Sequence, residues 1–300
     1  MARPQINIYA YTTMKTKLLS DIFLPIAAIA ALLCAPLAGT TLGGSILKEA
    51  GEFALLGGTS ITNEGNTVIR NGDIGLWTGT SITGFPPGEL LNGEIRPTGT
   101  TTTKPGMDAL INAQVGLANM PINETLSNVN LGGLTLEPGV YKFDEGAQLT
   151  GDLVLDGKGQ NGAFWVFQIG TSLITSVDST VTMINPGTNG GSDYGVFWNA
   201  GAEIVTGDNN ALLGNYLSGT SITFGANSIG GGRGLAQAAI TLENNDIDFS
   251  GGPGVGDWSG GLMYNEAGDV VAIPESATYA TIFGLAIFGM VIMRRMRGQG

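Results

Sequence analysis

The chain reads as mainly β, folded as an irregular β-solenoid whose coils carry three short strands each. Three observations predict this. Glycine makes up 49 of the 300 residues, well above the usual ~7%. Charged residues are only 13%, about half the typical ~25%. The motif Gly-Thr-Ser-Ile-Thr recurs at 58–62, 79–83 and 219–223, with a looser copy at Gly170-Thr171-Ser172-Leu173-Ile174-Thr175. Many short strands joined by tight corners satisfy all three. The first two copies start 21 residues apart, about one coil of a solenoid with three short strands. The other copies keep no such period, so the winding is irregular. The apolar fraction of 43% is ordinary, which separates this glycine excess from that of a disordered chain.

The elements follow in order. After the first motif copy, Val68-Ile69-Arg70 leads into Gly72-Asp73-Ile74-Gly75. From 105 to 120 the period changes. Met107, Leu110, Ile111, Val115 and Ala118 recur at helical spacing, which predicts an amphipathic helix with that stripe against the solenoid. Pro105 suits its first turn, and Pro121 stops it. Strand patterning resumes at Leu149–Leu155. Ala163–Ile169 is nearly continuous apolar sequence, the buried type of strand. Val181-Thr182-Met183-Ile184, Gly195–Trp198, Ala202–Thr206 and Ala239–Glu243 continue the series. Asp156-Gly157, Asn185-Pro186-Gly187 and Asp208-Asn209-Asn210 supply turns, because these residues accept the backbone angles of tight corners. The solenoid domain is expected over 46–265.

Both ends read as targeting segments. Lys15 and Lys17 precede an apolar stretch from Leu18 to Leu37 that closes on Ala38-Gly39-Thr40, the order of a secretory signal. Residues 1–40 are therefore an N-terminal extension and signal peptide, with a retained membrane anchor as the alternative. The single cysteine, Cys34, lies inside that stretch behind Leu33, which does not suit lipid attachment. At the other end, Ile273-Pro274-Glu275-Ser276 is followed by 17 uncharged residues from Ala277 to Met293 and by Arg294-Arg295-Met296-Arg297. The apolar run is just long enough to span a bilayer, and the arginines would stay cytoplasmic. The 273–297 segment resembles the PEP-CTERM sorting signal, with Ser276 in place of the motif's second Pro. The resemblance implies an exosortase-type processing enzyme as partner and the membrane as a partner before processing. A simple C-terminal anchor is the alternative. In either case the body is exported, to the cell surface or beyond.

Composition also excludes. The absence of histidine removes Ser-His-Asp catalysis, histidine metal sites and the commonest general base. The carboxylate pairs Asp144-Glu145 and Asp246/Asp248 read as turn residues rather than as an acid/base pair. The chain is expected not to be an enzyme, and to hold no cofactor and no metal. Between Lys48 and Asp269 there are 7 basic against 23 acidic residues. Such a body repels phosphate backbones, so nucleic acid is excluded as a partner.

Several stretches resemble the microbial ice-binding protein family built on a discontinuous β-solenoid with a long flanking helix. They are Phe53–Asn63, Gly72–Gly75, Thr83–Gly88, Leu131–Tyr141, Phe164–Gly170, Val196–Trp198 and Gly234–Leu242, in the family's order, covering about residues 46 to 250. The resemblance implies an irregular right-handed β-solenoid (β-helix) of triangular section with one long α-helix packed alongside, and implies ice, or ordered water, as the partner. An ice-binding protein that inhibits ice growth and recrystallisation outside the cell is the expected function. A cell-surface adhesin or extracellular matrix protein is the alternative.

The residues themselves support a water-ordering face. Solenoid strands stack about 4.8 Å apart, and residues i and i+2 on one face lie about 6.7 Å apart. With Ile61 inward, Ser60 and Thr62 point outward. The same alternation turns out Ser81 and Thr83, Thr180 and Thr182, Ser221 and Thr223, and Thr241. Threonine offers a hydroxyl and a methyl on a stiff side chain, so little entropy is lost in ordering it. These nine are the candidate ice-contact residues.

Overall fold

The computed structural model describes residues 45–274, apart from 97, 100, 102 and 251–255. The expected signal segment with Cys34, and the segment from 275 onward, lie outside the described residues. No helix among the described residues is long and apolar enough to cross a membrane.

A 3-10 turn over Lys48–Glu52 opens the described chain. Seven strands follow: β1 (Phe53–Gly57), β2 (Ser60–Glu64), β3 (Val68–Arg70), β4 (Asp73–Leu76), β5 (Ser81–Thr83), β6 (Glu89–Leu91) and β7 (Ile95–Arg96). Helix α1 (Lys104–Ala118) then carries the chain away. Winding restarts with β8 (Glu124–Thr125), β9 (Thr135–Leu136), β10 (Gly139–Phe143), β11 (Ala147–Leu149), β12 (Asp152–Asp156), β13 (Phe164–Ile169), β14 (Leu173–Thr175) and β15 (Thr180–Ile184). It continues through β16 (Gly195–Ala200), β17 (Ile204–Val205), β18 (Ala211–Ser218), β19 (Ile222–Thr223), β20 (Ile229–Ala236), β21 (Ala239–Glu243) and β22 (Asp246–Asp248). A hairpin of β23 (Leu262–Tyr264) and β24 (Val270–Ala272) ends it.

The pairing explains the irregular repeat. Strands β20, β21 and β22 pair in parallel with β1, β2 and β3, so the last coil docks on the first. Helix α1 bridges from β7 at one end of the stack to β8 at the other. At about 1.5 Å per residue its 15 residues cover roughly 22 Å of that return. Copies of the motif at 58–62 and 79–83 are neighbours, whereas the copy at 219–223 is separated from them by β21.

Three faces result. The first follows β8-β10-β13-β16, the second halves of β18 and β20, then β1-β4-β7, and it lies under α1. The second is the seven-stranded sheet β11-β14-β17-β19-β21-β2-β5. The third runs β9-β12-β15, the first halves of β18 and β20, then β22-β3-β6. Strands β18 and β20 turn the corner at Gly214 (φ 113°) and Gly232 (φ 119°). A Cβ on Gly232 would lie 2.1 Å from the Gly214 carbonyl oxygen, so the corner can stack only as glycine on glycine.

Inside, rings stack along the axis: Tyr141 on Phe167 at 5.8 Å, Phe167 on Trp198 at 4.0 Å and Trp198 on Tyr216 at 6.1 Å between centroids. Their strands pair in one register, Tyr141–Phe167–Trp198–Tyr216. The stack stops at Gly234, where the Phe224 ring occupies the missing place.

The helix differs from expectation in its stripe. Met107 and Leu110 are buried, but so are Gly106, Ala109, Ala113, Gln114 and Leu117. Ile111 and Val115 are 37% and 57% exposed, and Ala118 is exposed too. Small residues decide the seating, because they let the helix approach the sheet. The sheet then supplies donors to carbonyls at and around the C-terminal end of the helix. Gln168 Nε2 donates to the Leu117 and Met120 oxygens at 2.7 and 3.0 Å, and Asn199 Nδ2 to Gln114 O at 2.9 Å.

Candidate functional site

The second face is the regular one. Ala147, Leu173, Ile204, Ile222, Ile240, Ile61 and Ile82 share one inward rank. All are buried except Ile82, which is partly so. A one-residue slip in any strand would turn its aliphatic residue to solvent, so this rank pins the register. The repeated glycine pins the corner before it. A Cβ on Gly58, Gly79 or Gly219 would fall within 1.5–2.3 Å of a carbonyl oxygen of the neighbouring coil. The Gly-Thr-Ser-Ile-Thr repeat is therefore a Gly-Thr corner followed by Ser outward, Ile inward and Thr outward.

The outward side carries two ranks of hydroxyls. Thr223, Thr241, Thr62 and Thr83 align on four consecutive strands. At about 4.8 Å per strand the ladder runs roughly 14 Å. Beside it, Ser60 pairs with Ser81 and with Ala239, and Ser221 precedes the Ile222–Ile240 pair. Seven of the nine candidates thus meet on one patch: Ser60, Thr62, Ser81, Thr83, Ser221, Thr223 and Thr241. Among the described residues, none of these seven hydroxyls hydrogen-bonds another protein group. They contrast with Thr150, whose hydroxyl meets Ser176 Oγ at 2.8 Å.

Thr180 and Thr182 do not join them. Both lie on β15 of the third face, where Thr180 Oγ1 donates to Asp152 at 2.7 Å and Thr182 pairs with Val154. Alternation along β15 gave their direction correctly, but alternation cannot say which of three faces a strand belongs to. That face also carries the Arg70–Asp246 ion pair, Asp248, and the exposed Ile229.

The regular face extends beyond the hydroxyl patch. In the threonine rank the remaining strands present Val205, Ile174 and Gln148. In the serine rank they present Glu203 and Ser172. The looser motif copy explains Ile174. Its Ser172 and Leu173 match Ser60 and Ile61, so Ile174 takes the threonine position and Thr175 turns inward. There Thr175 Oγ1 accepts from Gly207 N at 3.1 Å and from Asn210 Nδ2. Aligning that copy on its serine rather than its last threonine would have shown this. One rank further along the strands, Glu64 and Glu243 stand side by side facing outward.

In each carboxylate pair singled out in the sequence, neighbouring side chains engage an acid. Lys142 Nζ, 2.9 Å away, and Ser127 hold the Asp144 carboxyl below its usual range. Asp246 is engaged by Arg70. Burial would raise Asp248, but hydrogen bonds from Asn71 and Ser250 outweigh it and hold that carboxyl low as well. A general acid needs the opposite shift. Among the described residues, no three acidic or thiol side chains cluster as metal ligands do.

A family model described as ice-binding-like matches residues 55–248, which run from β1 to β22. The chain belongs to this family. It is 35% identical over 256 residues to an ice-binding protein from Nostoc sp. (strain HG1), covering 84% of this chain and 87% of that protein. Among solved structures it resembles an ice-binding protein from the Antarctic ascomycete Antarctomyces psychrotrophicus at 34% identity and a TM-score of 0.62. That likeness covers 68% of this chain and 98% of that one. An ice-binding protein from an Antarctic biological consortium is similar at 32% identity and a TM-score of 0.62, over 70% of this chain and 93% of that one. This ice-binding family is not an enzyme family.

Proposed function

We propose that the protein adsorbs to ice through the outward hydroxyl patch of Ser60, Thr62, Ser81, Thr83, Ser221, Thr223 and Thr241, and so restrains ice growth and recrystallisation. The observation that carries this reading is the four-threonine ladder in unbroken register. Among the described residues its hydroxyls have no protein partner, so each can hold a water, while the methyls and the fixed spacing limit where that water sits. The third face, with its ion pair and carboxylates, keeps its own hydration. The first face is covered by α1.

The reading places this activity outside the cell. The apolar segments at the two ends of the sequence support export. The 273–297 segment supports handling by an exosortase-type enzyme, with transient or lasting membrane attachment.

Ice-affinity partitioning of the purified protein tests the face. Wild type is expected to enter the ice fraction and to suppress recrystallisation. Thr241→Tyr, a bulky ring in the middle of the ladder, is expected to abolish both while leaving the melting curve unchanged. Wild type left wholly in the liquid fraction would favour an adhesin or matrix role. A fully active Thr241→Tyr would move the contact to another face.

A further inference from the structure

The face is seven strands wide, but its hydroxyl patch covers four. We infer that Glu203 sets this limit: it ends the ice-contact surface at β19 and leaves β11, β14 and β17 as a latent extension of the same face. The inference rests on the reading above and concerns how far the contact reaches.

The three excluded strands are otherwise suitable. They continue the inward aliphatic rank and the register without interruption. At the threonine positions Ile174, 48% exposed, and Val205 present methyl groups and Gln148 an uncharged amide, and Ser172 presents a hydroxyl. Glu203 is the exception. It is exposed, and no ion pair among the described residues involves it. The ladder bonds that flank it, Leu173 N to Glu203 O at 3.1 Å and Ile204 N to Ser221 O at 2.9 Å, put it between Ser172 and Ser221 in the serine rank. The charge thus stands about one strand spacing, ~4.8 Å, from the edge of the hydroxyl patch. A carboxylate gives up its water only at high cost unless it is paired. An ice surface offers no counter-charge, so Glu203 keeps a shell of mobile water over β17 and lifts the ice plane off the strands beyond. Glu64 and Glu243 act alike along the strand direction, one rank past Thr62 and Thr241. The hydroxyl patch is framed by carboxylates on two sides.

Four variants test this, each measured by thermal hysteresis at fixed concentration and by ice partitioning. Glu203→Thr is expected to raise activity roughly two-fold, because the contact widens from about 14 Å to about 29 Å. Glu203→Gln, which removes the charge and keeps the size, is expected to give part of that rise. Ile174→Tyr is expected to be silent in the wild-type background and to cancel the gain in the Glu203→Thr background. That dependence on background is a signature that a merely structural role would not produce. A well-folded Glu203→Thr with unchanged activity would overturn the inference. So would an Ile174→Tyr single variant as inactive as Thr241→Tyr, since the contact would then already cross Glu203. A gain in Glu203→Thr with none in Glu203→Gln would show that shape, not charge, sets the limit. If Thr241→Tyr were silent, the face itself would be wrong, a failure distinct from any of these.

Discussion

Replacing Thr62, Thr83, Thr223 and Thr241 together with valine separates the hydroxyls from everything else the ladder provides. Valine keeps the branched shape, the outward methyls and the strand preference. The four hydroxyls bond no other group among the described residues, so their removal breaks no protein hydrogen bond. The melting temperature is expected to move by no more than a few degrees. A hydrogen bond formed in exchange for one to bulk water contributes about 0.5–1.5 kcal/mol net. If each threonine places one water in the ice lattice, the four together contribute about 4 kcal/mol, or roughly a thousand-fold in the adsorption constant. A single Thr62→Val change should cost about 1 kcal/mol, roughly five-fold. Partitioning into ice across a concentration series gives the shift directly. Thr180→Val is the control. Its hydroxyl is bonded to Asp152 on the third face, so it should leave partitioning untouched and cost stability by up to about 1 kcal/mol. A quadruple valine variant that partitions like the parent would rule out a role for the hydroxyls, since regular methyl spacing would then suffice.

Two further outcomes concern the scaffold. Gly79→Ala would place a Cβ 1.5 Å from the Thr59 oxygen and is expected to cost more than about 2 kcal/mol by forcing the coils apart. Gly230→Ala meets only the Leu212 oxygen, at 3.4 Å, beside a small void lined by Leu212, Tyr216 and Ile247. It should stabilise by about 0.4–1 kcal/mol, and urea titration reads both changes. Acid sensitivity is expected at the corner where Asp257 meets the buried Arg233 at 2.7 Å. Burial opposes the Asp257 charge, but Arg233 and Ser259 outweigh it and hold the carboxyl below its ordinary value. A depressed carboxyl contributes stability above the unfolded value of ~3.9 and loses it as pH falls through the folded value. The gap in melting temperature between wild type and Asp257→Asn should therefore be widest near neutral pH and close on acidification. A gap independent of pH would mean that the pair's charge contributes nothing.

Much of this arrangement was legible in the residues. The 21-residue offset between Gly58 and Gly79 does measure one coil, because Thr62 pairs with Thr83. Alternation gave the direction of Ser60, Thr62 and their counterparts, since Ile61, Ile222 and Ile240 are buried. What alternation lacks is the third dimension. Thr182 and Thr223 are equally outward, yet a corner separates them, and no pattern within β15 or β19 records which face each belongs to. The helix stripe differs from the sequence pattern for a related reason. Hydrophobicity favoured Ile111 and Val115, but close approach favoured Ala109 and Ala113, and the distance between helix and sheet is a tertiary quantity. Glu203 was invisible as a neighbour of the patch because its strand carries no copy of the repeated motif.

The ladder also crosses the seam of the fold. Thr62 and Thr83 belong to the first coils wound and Thr223 and Thr241 to the last, so the four align only when β21 docks on β2. The seam is bonded through backbone and side chains alike. Asn66 N donates to Asn244 Oδ1 at 2.9 Å, Val68 N to Asn245 O at 2.8 Å, and Asn245 N to Thr67 Oγ1 at 3.1 Å, with the Arg70–Asp246 pair beside them. A simple solenoid adds coils one upon the last and can expose a usable face while still incomplete. Here each half of the chain holds only two of the four threonines. At about 4.8 Å per strand, two threonines span too little to define a plane. The discontinuity therefore ties the candidate site to completion of the whole domain. Contacts of such high sequence separation are slow to form, so the hydroxyl ladder is expected to appear late on folding and to be lost when the seam opens.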